Sequence, residues 1–291
     1  MKTYLEAFLK ECEYEDHDRI FLLEAYEKIV SCDVACALWK KAVEMYGTEG
    51  MCDYEAARKL AEEAGDAVGL HTYTTALLLY LCFTKNLRKR YLIRNLGLDL
   101  YHNTVLDLKY KTEECKLVKG IVGSFVAPWF DGFFKLKRFA LGRLQFEVTS
   151  FKRNYEQNGK VLTPESRVIN VHIPRSGQPL TKEACDRAYA MAKSFFATEI
   201  GDVCAFVCSS WLLYPENKHL LSPASNTYRF MSKFEIIEST PDRHGENLWR
   251  LFDTDEKNPD RLPTDTSMRR AYVNHLKKGG FLGSGYGVFF A

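Results

Sequence analysis

The chain has 291 residues, enough for two domains of ordinary size, and its 46% hydrophobic and 27% charged residues fit a globular protein with a sizeable core. Its 40 Lys and Arg nearly balance 38 Asp and Glu, so bulk charge points to neither nucleic acid nor a membrane surface as partner. Nine cysteines, an odd number with several inside apolar runs, fit reduced thiols rather than a disulfide framework. The opening "MKTYLEAFLKECEYED" turns acidic without an apolar core, so no targeting segment is expected there and the expected location is the cytoplasm.

From Met1 to about Tyr110 the hydrophobic period is helical. "RIFLLEAYEKIV" and "DVACALWKKAVEMYG" place apolar residues at three- and four-residue spacings, with Gly47 as a plausible C-cap. "DYEAARKLAEEAGD" is an Ala-rich helix ending near Gly65, and "HTYTTALLLYLCFTKNLRKRYLI" reads as a buried helix with a basic end. Its apolar core "TTALLLYLCF" is about half of the ~20 residues that span a bilayer, so no membrane span is expected. This half reads as a helical bundle or layer, residues 1–130.

Past "VGSFVAPWFDGFF" the pattern changes, and a second domain is expected over residues 131–291. "FALGRLQFEVTSF" alternates and predicts one strand, Phe139 to Phe151. "RVINVHIP" predicts a second, stopped by Pro174, and a helix follows from about Thr181 to Phe196. "DVCAFVCSSWLL" is a nearly continuous apolar strand buried on both faces. "PENKHLLSPASNTYRFMSK" holds one or two short helices, "KFEIIEST" and "NLWRLFDT" predict a β-hairpin, and "DTSMRRAYVNHLKKGG" predicts a capped helix before a Gly-rich tail. The second half is therefore α+β and mostly antiparallel.

Motifs for metal chemistry are absent: there is no CxxC or HExxH, and "DTDEKNPD" lacks the glycine of an EF-hand loop. The basic run at Lys85, Arg88, Lys89, Arg90 and Arg94 suits a phosphate backbone, but the favoured reading is a solvated helix end, whose dipole favours cations. Ser209 and Ser210, beside Cys208, lack a GxSxG elbow, and a Cys208–His172 thiolate pair requires a fold that brings the two together. The loop "RSGQP" before the helix at Thr181 combines a cation at Arg175, a hydroxyl at Ser176 and accessible backbone at Gly177. With the helix N-terminus, these suit an anion.

The order strand, Gly-bearing loop, helix, apolar strand, short helix resembles the core of GNAT-type acyltransferases, and "SNTYRFMSKFEII" resembles their late motif, with Phe234 matching its Phe and Lys233 standing where Gly is usual. The phrases "LGRLQFE", "VHIPRSGQPLT", "CSSWLLYP" and "SNTYRF" are similar to bacterial acyltransferase-domain proteins that join a helical N-terminal domain to a GNAT-like C-terminal domain, and the likeness spans essentially the whole chain. The resemblance implies a GNAT-like mixed sheet with flanking helices. It implies transfer from acyl-CoA to a small-molecule or peptide acceptor, often an amine, without metal or covalent intermediate. Val171 and Ile173 would meet pantetheine; Arg175, Ser176, Gly177, Gln178 and Thr181 would meet pyrophosphate. The loop departs from the family pattern, because it has one Gly and Pro179 removes an amide donor. Glu147 and His172 are the candidate bases and Tyr228 the candidate proton donor to the thiolate. Ser225 and Asn226 read as the N-cap of the short helix or as ligand contacts. Two other classes are left open: a catalytically silent GNAT-like module that binds a ligand or a protein, and a serine or cysteine hydrolase centred on Cys208–Ser210.

Overall fold

The helical period read up to Tyr110 extends to Lys119 in the computed structural model, which describes residues 1–201 and 203–291. Two units divide the chain, Met1–Lys137 and Arg138–Ala291. The first is helical: α1 (Lys2–Glu11), α2 (Asp16–Ser31), α3 (Asp33–Glu44), α4 (Tyr54–Asp66), α5 (Thr72–Ile93), α6 (Leu98–Lys119) and a last turn, α7 (Asp131–Phe134). Helix α5 is buried on all sides from Leu77 to Phe83, which is why its apolar residues are not confined to one stripe. Arg90, from the basic run at its end, points inward: its guanidinium donates to the Tyr46 hydroxyl at 2.8 Å, and that hydroxyl donates to the carbonyl of Phe134 at 2.9 Å. Among the described residues, no helix is long and apolar enough to cross a membrane.

The second unit contains β1 (Arg138–Leu141), β2 (Leu144–Ser150), β3 (Tyr155–Gln157), β4 (Lys160–Leu162), β5 (Arg167–His172), α8 (Lys182–Phe195), β6 (Ala205–Ser210), α9 (Asn217–Leu220), α10 (Asn226–Met231), β7 (Glu235–Pro241), α11 (Trp249–Phe252), α12 (Ser267–Lys277) and β8 (Gly283–Phe290). Six strands form one sheet in the order β1-β2-β5-β6-β8-β7; β3 and β4 form a separate hairpin. Every neighbour in the large sheet is antiparallel except β5 and β6. This is the mixed, mostly antiparallel sheet with flanking helices that was expected.

Two strand expectations need correcting. Phe139 to Phe151 is not one strand: the chain reverses at Gly142–Arg143, and β1 pairs back on β2 with Leu141 opposite Leu144. The tight turn is hidden in the sequence because the alternation continues through it. "NLWRLFDT" is a helical turn, Trp249–Phe252, not the second arm of a hairpin. It packs with Leu262, Tyr272 and Leu282 into a small core of its own. The partner of β7 is instead β8, the Gly-rich tail.

The glycines of β8 have a packing reason. Gly283, Gly285 and Gly287 alternate on one face of the strand, where the segment after β6 crosses it. A Cβ on Gly285 would stand 2.1 Å from the carbonyl oxygen of Leu213, and one on Gly283 would stand 2.4 Å from the ring of Tyr214. Local strand propensity is low there, and tertiary packing overrides it.

The two faces of the sheet differ. One carries Phe146, Phe206 and Phe289, which stack under Tyr189 of α8 and Phe234. The other is apolar at one end, where Val168, Ala205, Val207 and Val288 pack with Phe151 and Leu162. Its remainder is polar.

Replacing Gly285 with Ala places a methyl group against backbone, so the substitution destabilises the protein by about 2 kcal/mol or more. Urea midpoints compare it with Gly159→Ala, which meets nothing within 4 Å but sits at φ 75°, and which costs less.

Candidate active site

Parallel strands β5 and β6 are paired at two positions only, Ile169 with Phe206 and Asn170 with Val207. Yet β5 runs on to His172 and β6 to Ser210. The opposite edges of both strands stay paired, to β2 and β8 respectively. An opening in the ladder therefore lies between the two strand ends, with backbone polar groups along it and no ladder to satisfy them.

Strand periodicity sets the side chains beside this opening. Arg138 lies opposite Glu147, and Glu147 opposite Asn170, so all three share one face; His172, two residues on from Asn170, joins them. The guanidinium of Arg138 donates to both carboxylate oxygens of Glu147 at 3.1 Å. His172 Nε2 lies 2.8 Å from Glu147 Oε1, and Asn170 Nδ2 donates to the same oxygen at 3.3 Å. Burial works against ionisation of Glu147, but the hydrogen bond from His172 and the charge of Arg138 outweigh it and hold the carboxyl at about 2. A carboxylate only accepts, so Nε2 is the donor of this bond, and in the neutral ring Nδ1 would carry the lone pair. Glu147 is thus held as a weakly basic carboxylate that bonds the Nε2 edge of His172.

The strand–helix loop is positioned by Arg143, in the β1–β2 turn, which donates to the carbonyls of Gln178 at 2.9 Å and Pro174 at 3.0 Å. Gly177 sits at φ 72°, a conformation that favours glycine. Thr181 caps α8, accepting from the amide of Ala184 at 3.2 Å. The hydroxyl of Ser176 is buried and makes no hydrogen bond among the described residues. Arg175 donates from both terminal nitrogens to Asp253, the second at 2.7 Å, and Arg269 bonds the same carboxylate at 2.6 Å. The side chain of Val171 is buried, leaving only its backbone to face a ligand, whereas Ile173 is half-buried.

Structure therefore brings Glu147 and His172 together, but not Tyr228. That residue lies half-buried on α10, the helix whose Phe230 packs through Phe234 on the opposite, aromatic face. Ser225 caps α10, accepting from the amide of Tyr228 at 3.2 Å, and Asn226 is its first residue. Cys208 is buried on the aromatic face, so no Cys208–His172 pair forms, and burial pushes its thiol well above the ordinary cysteine value. Ser210 is engaged by the amide of Leu212 at 3.2 Å. Among the described residues, no group of three or more metal-ligating side chains comes together.

Arg138, Asn170 and Arg143 went unnoticed in the sequence. Asn170 alone had a signal, its i, i+2 relation to His172 on a strand; the other two require the register and the turn. Asn170 also lines a cavity of about 360 Å³ on the polar face.

Residues 138–289 match the family model of the GNAT-like C-terminal domain, and residues 3–136 that of the N-acyltransferase N-terminal domain. Among solved structures, an acyltransferase in complex with decanoyl-CoA superposes with a TM-score of 0.75 at 21% identity, covering 97% of this chain and 85% of that one. An acyltransferase in complex with decanoyl-CoA and teicoplanin gives 0.73 at 21%, and one in complex with CoA and 10C-teicoplanin gives the same values, both covering 97% of this chain and 86% of theirs. At that identity the likeness establishes the fold. No curated protein matches the chain.

The Glu147 cluster predicts a pH signature. Its folded value of about 2 lies below the ordinary 4.5, so the stabilisation is present above pH 4.5 and is lost as pH falls through 2. Glu147→Gln should cost about 3 kcal/mol near neutral pH, and the gap to wild type should close on acidification towards pH 2, read from urea midpoints across pH.

Proposed function

We infer function from one premise: the chain belongs to the family that joins an N-acyltransferase N-terminal domain to a GNAT-like C-terminal domain. On that premise the protein moves an acyl group from acyl-CoA, or a related pantetheine thioester, directly to an amine acceptor. The observation that carries this reading is the opening between β5 and β6 beside a Glu147-supported His172. An extended thioester can pair with backbone there while its carbonyl lies near a base. The acyltransferases of similar fold crystallised with decanoyl-CoA support the choice of donor.

In this reading the backbone of Val171 and Ile173 meets pantetheine. Ser176, Gly177 and Gln178, with the start of α8 at Thr181, meet the pyrophosphate, and the orphaned Ser176 hydroxyl is a donor available to it. Arg175 closes the loop from its Asp253 pair, and Ser225 and Asn226 flank the donor at α10. The acceptor nitrogen gives its proton to His172 Nδ1 and attacks the thioester carbonyl. The N–C bond forms, the C–S bond breaks, and the imidazolium of His172 returns its proton to the departing thiolate, since Tyr228 lies on the opposite face of the sheet. Glu147, held ionised, stabilises the imidazolium, while Asn170 and Arg138 fix Glu147. Because Cys208 is buried and Ser210 is engaged locally, a direct transfer is favoured over an acyl-enzyme.

A second reading, a silent module that binds ligand or protein, draws on the commitment of Arg175 to Asp253 and on the missing amide at Pro179. It predicts CoA binding without release of free thiol in the presence of a broad amine pool.

Three outcomes test the catalytic reading. Millimolar acetyl- or octanoyl-CoA should raise the melting temperature, and no shift with either would remove the donor assignment. His172→Ala should lower kcat about 10²- to 10³-fold while keeping that shift. Arg143→Ala should raise the KM for acyl-CoA about tenfold with kcat nearly unchanged, because it loosens the loop and not the base.

A further inference from the structure

The α5–α6 hairpin ends in a tip that the helical unit leaves bare. Ile93 closes α5 and Leu98 opens α6, and Leu92, Ile93 and Leu98 are 58%, 70% and 40% exposed. A lone exposed apolar side chain is ordinary, but three between Leu92 and Leu98 make a patch. The turn beneath them is closed. Asn95 stands at φ 53°, its amide donates to the carbonyl of Leu92 at 3.1 Å, and the amide of Leu96 donates to the carbonyl of Tyr91 at 2.8 Å. The tip is therefore held in place with its apolar side chains outward.

The same face of α5 is basic just before the tip. At 3.6 residues per turn, Lys85, Arg88, Lys89, Leu92 and Ile93 fall within an arc of about 140°. All five are exposed, whereas Leu87, Arg90 and Tyr91 on the opposite arc are buried. Arg94, the C-cap, adds a fourth exposed cation. No acidic residue occurs in the sequence between Asp66 and Asp99, and among the described residues no carboxylate forms an ion pair with any of the four cations. The helix dipole accounts for cations near the C-terminus of α5, but not for the exposed leucine and isoleucine beyond them.

We propose that this tip docks on an anionic lipid surface, with Leu92, Ile93 and Leu98 at the boundary between headgroups and acyl chains and Lys85, Arg88, Lys89 and Arg94 against the lipid phosphates. The contact is interfacial and not a span, and it goes beyond the acyl-transfer reading, which concerns the other unit. The spacing suits a bilayer surface. At 1.5 Å per residue, Ile93 lies about 6 Å beyond Lys89 and about 12 Å beyond Lys85, while interfacial apolar groups sink about 5–10 Å. Arg94 is long enough to reach back to the headgroups. The near-balance of 40 basic and 38 acidic residues conceals the patch because the patch is local.

Other occupants answer only half of the surface. A nucleic-acid backbone would meet the cations and leave the apolar side chains in water. A second copy of this chain would cover the apolar side chains but bring like charges together. An anionic membrane meets both.

Flotation of the full chain with vesicles of phosphatidylcholine, alone or with about one-third phosphatidylglycerol, tests the proposal. At low salt, wild type should float with the anionic vesicles and stay behind with the neutral ones, and about 0.5 M salt should release most of it. Lys85→Glu/Arg88→Glu/Lys89→Glu should lower the partition coefficient about 100-fold or more, and Leu92→Ser/Ile93→Ser about tenfold or more. Lys85→Arg/Lys89→Arg should keep binding. These side chains are exposed, so urea midpoints of all the variants should stay close to that of wild type. Failure to float with anionic vesicles at low salt would overturn the proposal, as would flotation that Leu92→Ser/Ile93→Ser leaves unchanged. It would also fall if a duplex oligonucleotide binds more tightly than the vesicles and loses binding in the charge variant. A dimer in sedimentation equilibrium that Leu92→Ser/Ile93→Ser dissociates would overturn it too. The melting shift with acyl-CoA tests the acyl-transfer reading separately, so either can fail alone.

Discussion

Three donors converge on one carboxylate. Arg138, Asn170 and His172 all bond to Glu147, and they do so because antiparallel register sets strands β1, β2 and β5 side by side. A one-residue slip of any of these strands would turn its member of the cluster to the aromatic face. The aromatic packing beneath α8 is what forbids that slip: Phe146, Phe206, Phe289 and Tyr189 fill the other face and fix which residues point away from it. The apolar side of the sheet thus sets the chemistry of the polar side.

The same carboxylate divides labour between two residues that the sequence offers as equals. Glu147 and His172 are both reasonable bases when each is considered alone. Once they share a hydrogen bond and Arg138 adds its charge, Glu147 is held at about 2, and in the proposed reaction the imidazole is the group assigned to accept the proton from the amine. Loss of the carboxylate would also remove a counter-charge from the guanidinium of Arg138, itself mostly buried.

Legibility in the sequence followed the strength of local signals. Helix α8 and strand β5 are readable because Thr181 caps one and Pro174 stops the other. The long period of α5 is readable because nothing interrupts it. The failures share a cause: tertiary structure overrode local preference. The reversal at Gly142–Arg143 sits inside an unbroken alternation, "NLWRLF" is apolar enough for a strand but is held as a helical turn by its own small core, and β8 looks like a tail because three glycines make room for the segment after β6. At the site, residue types were legible and neighbourhood was not. Glu147 and His172 stood out as chemistry, but only register brings them together, separates them from Cys208 and leaves Tyr228 on the other side of the sheet. Arg143 gave no signal at all, since its role is to hold two carbonyls more than thirty residues away in the chain.

The central claim is that an acyl-CoA thioester lies along the opening between β5 and β6, with its phosphates at the start of α8. Amide hydrogen exchange with and without octanoyl-CoA reads this directly. The account predicts added protection at Val171 to Ile173 and at Ser176 to Gln178, with the β3–β4 hairpin unchanged. Protection confined to other segments, or none in these two stretches at saturating ligand, would contradict it.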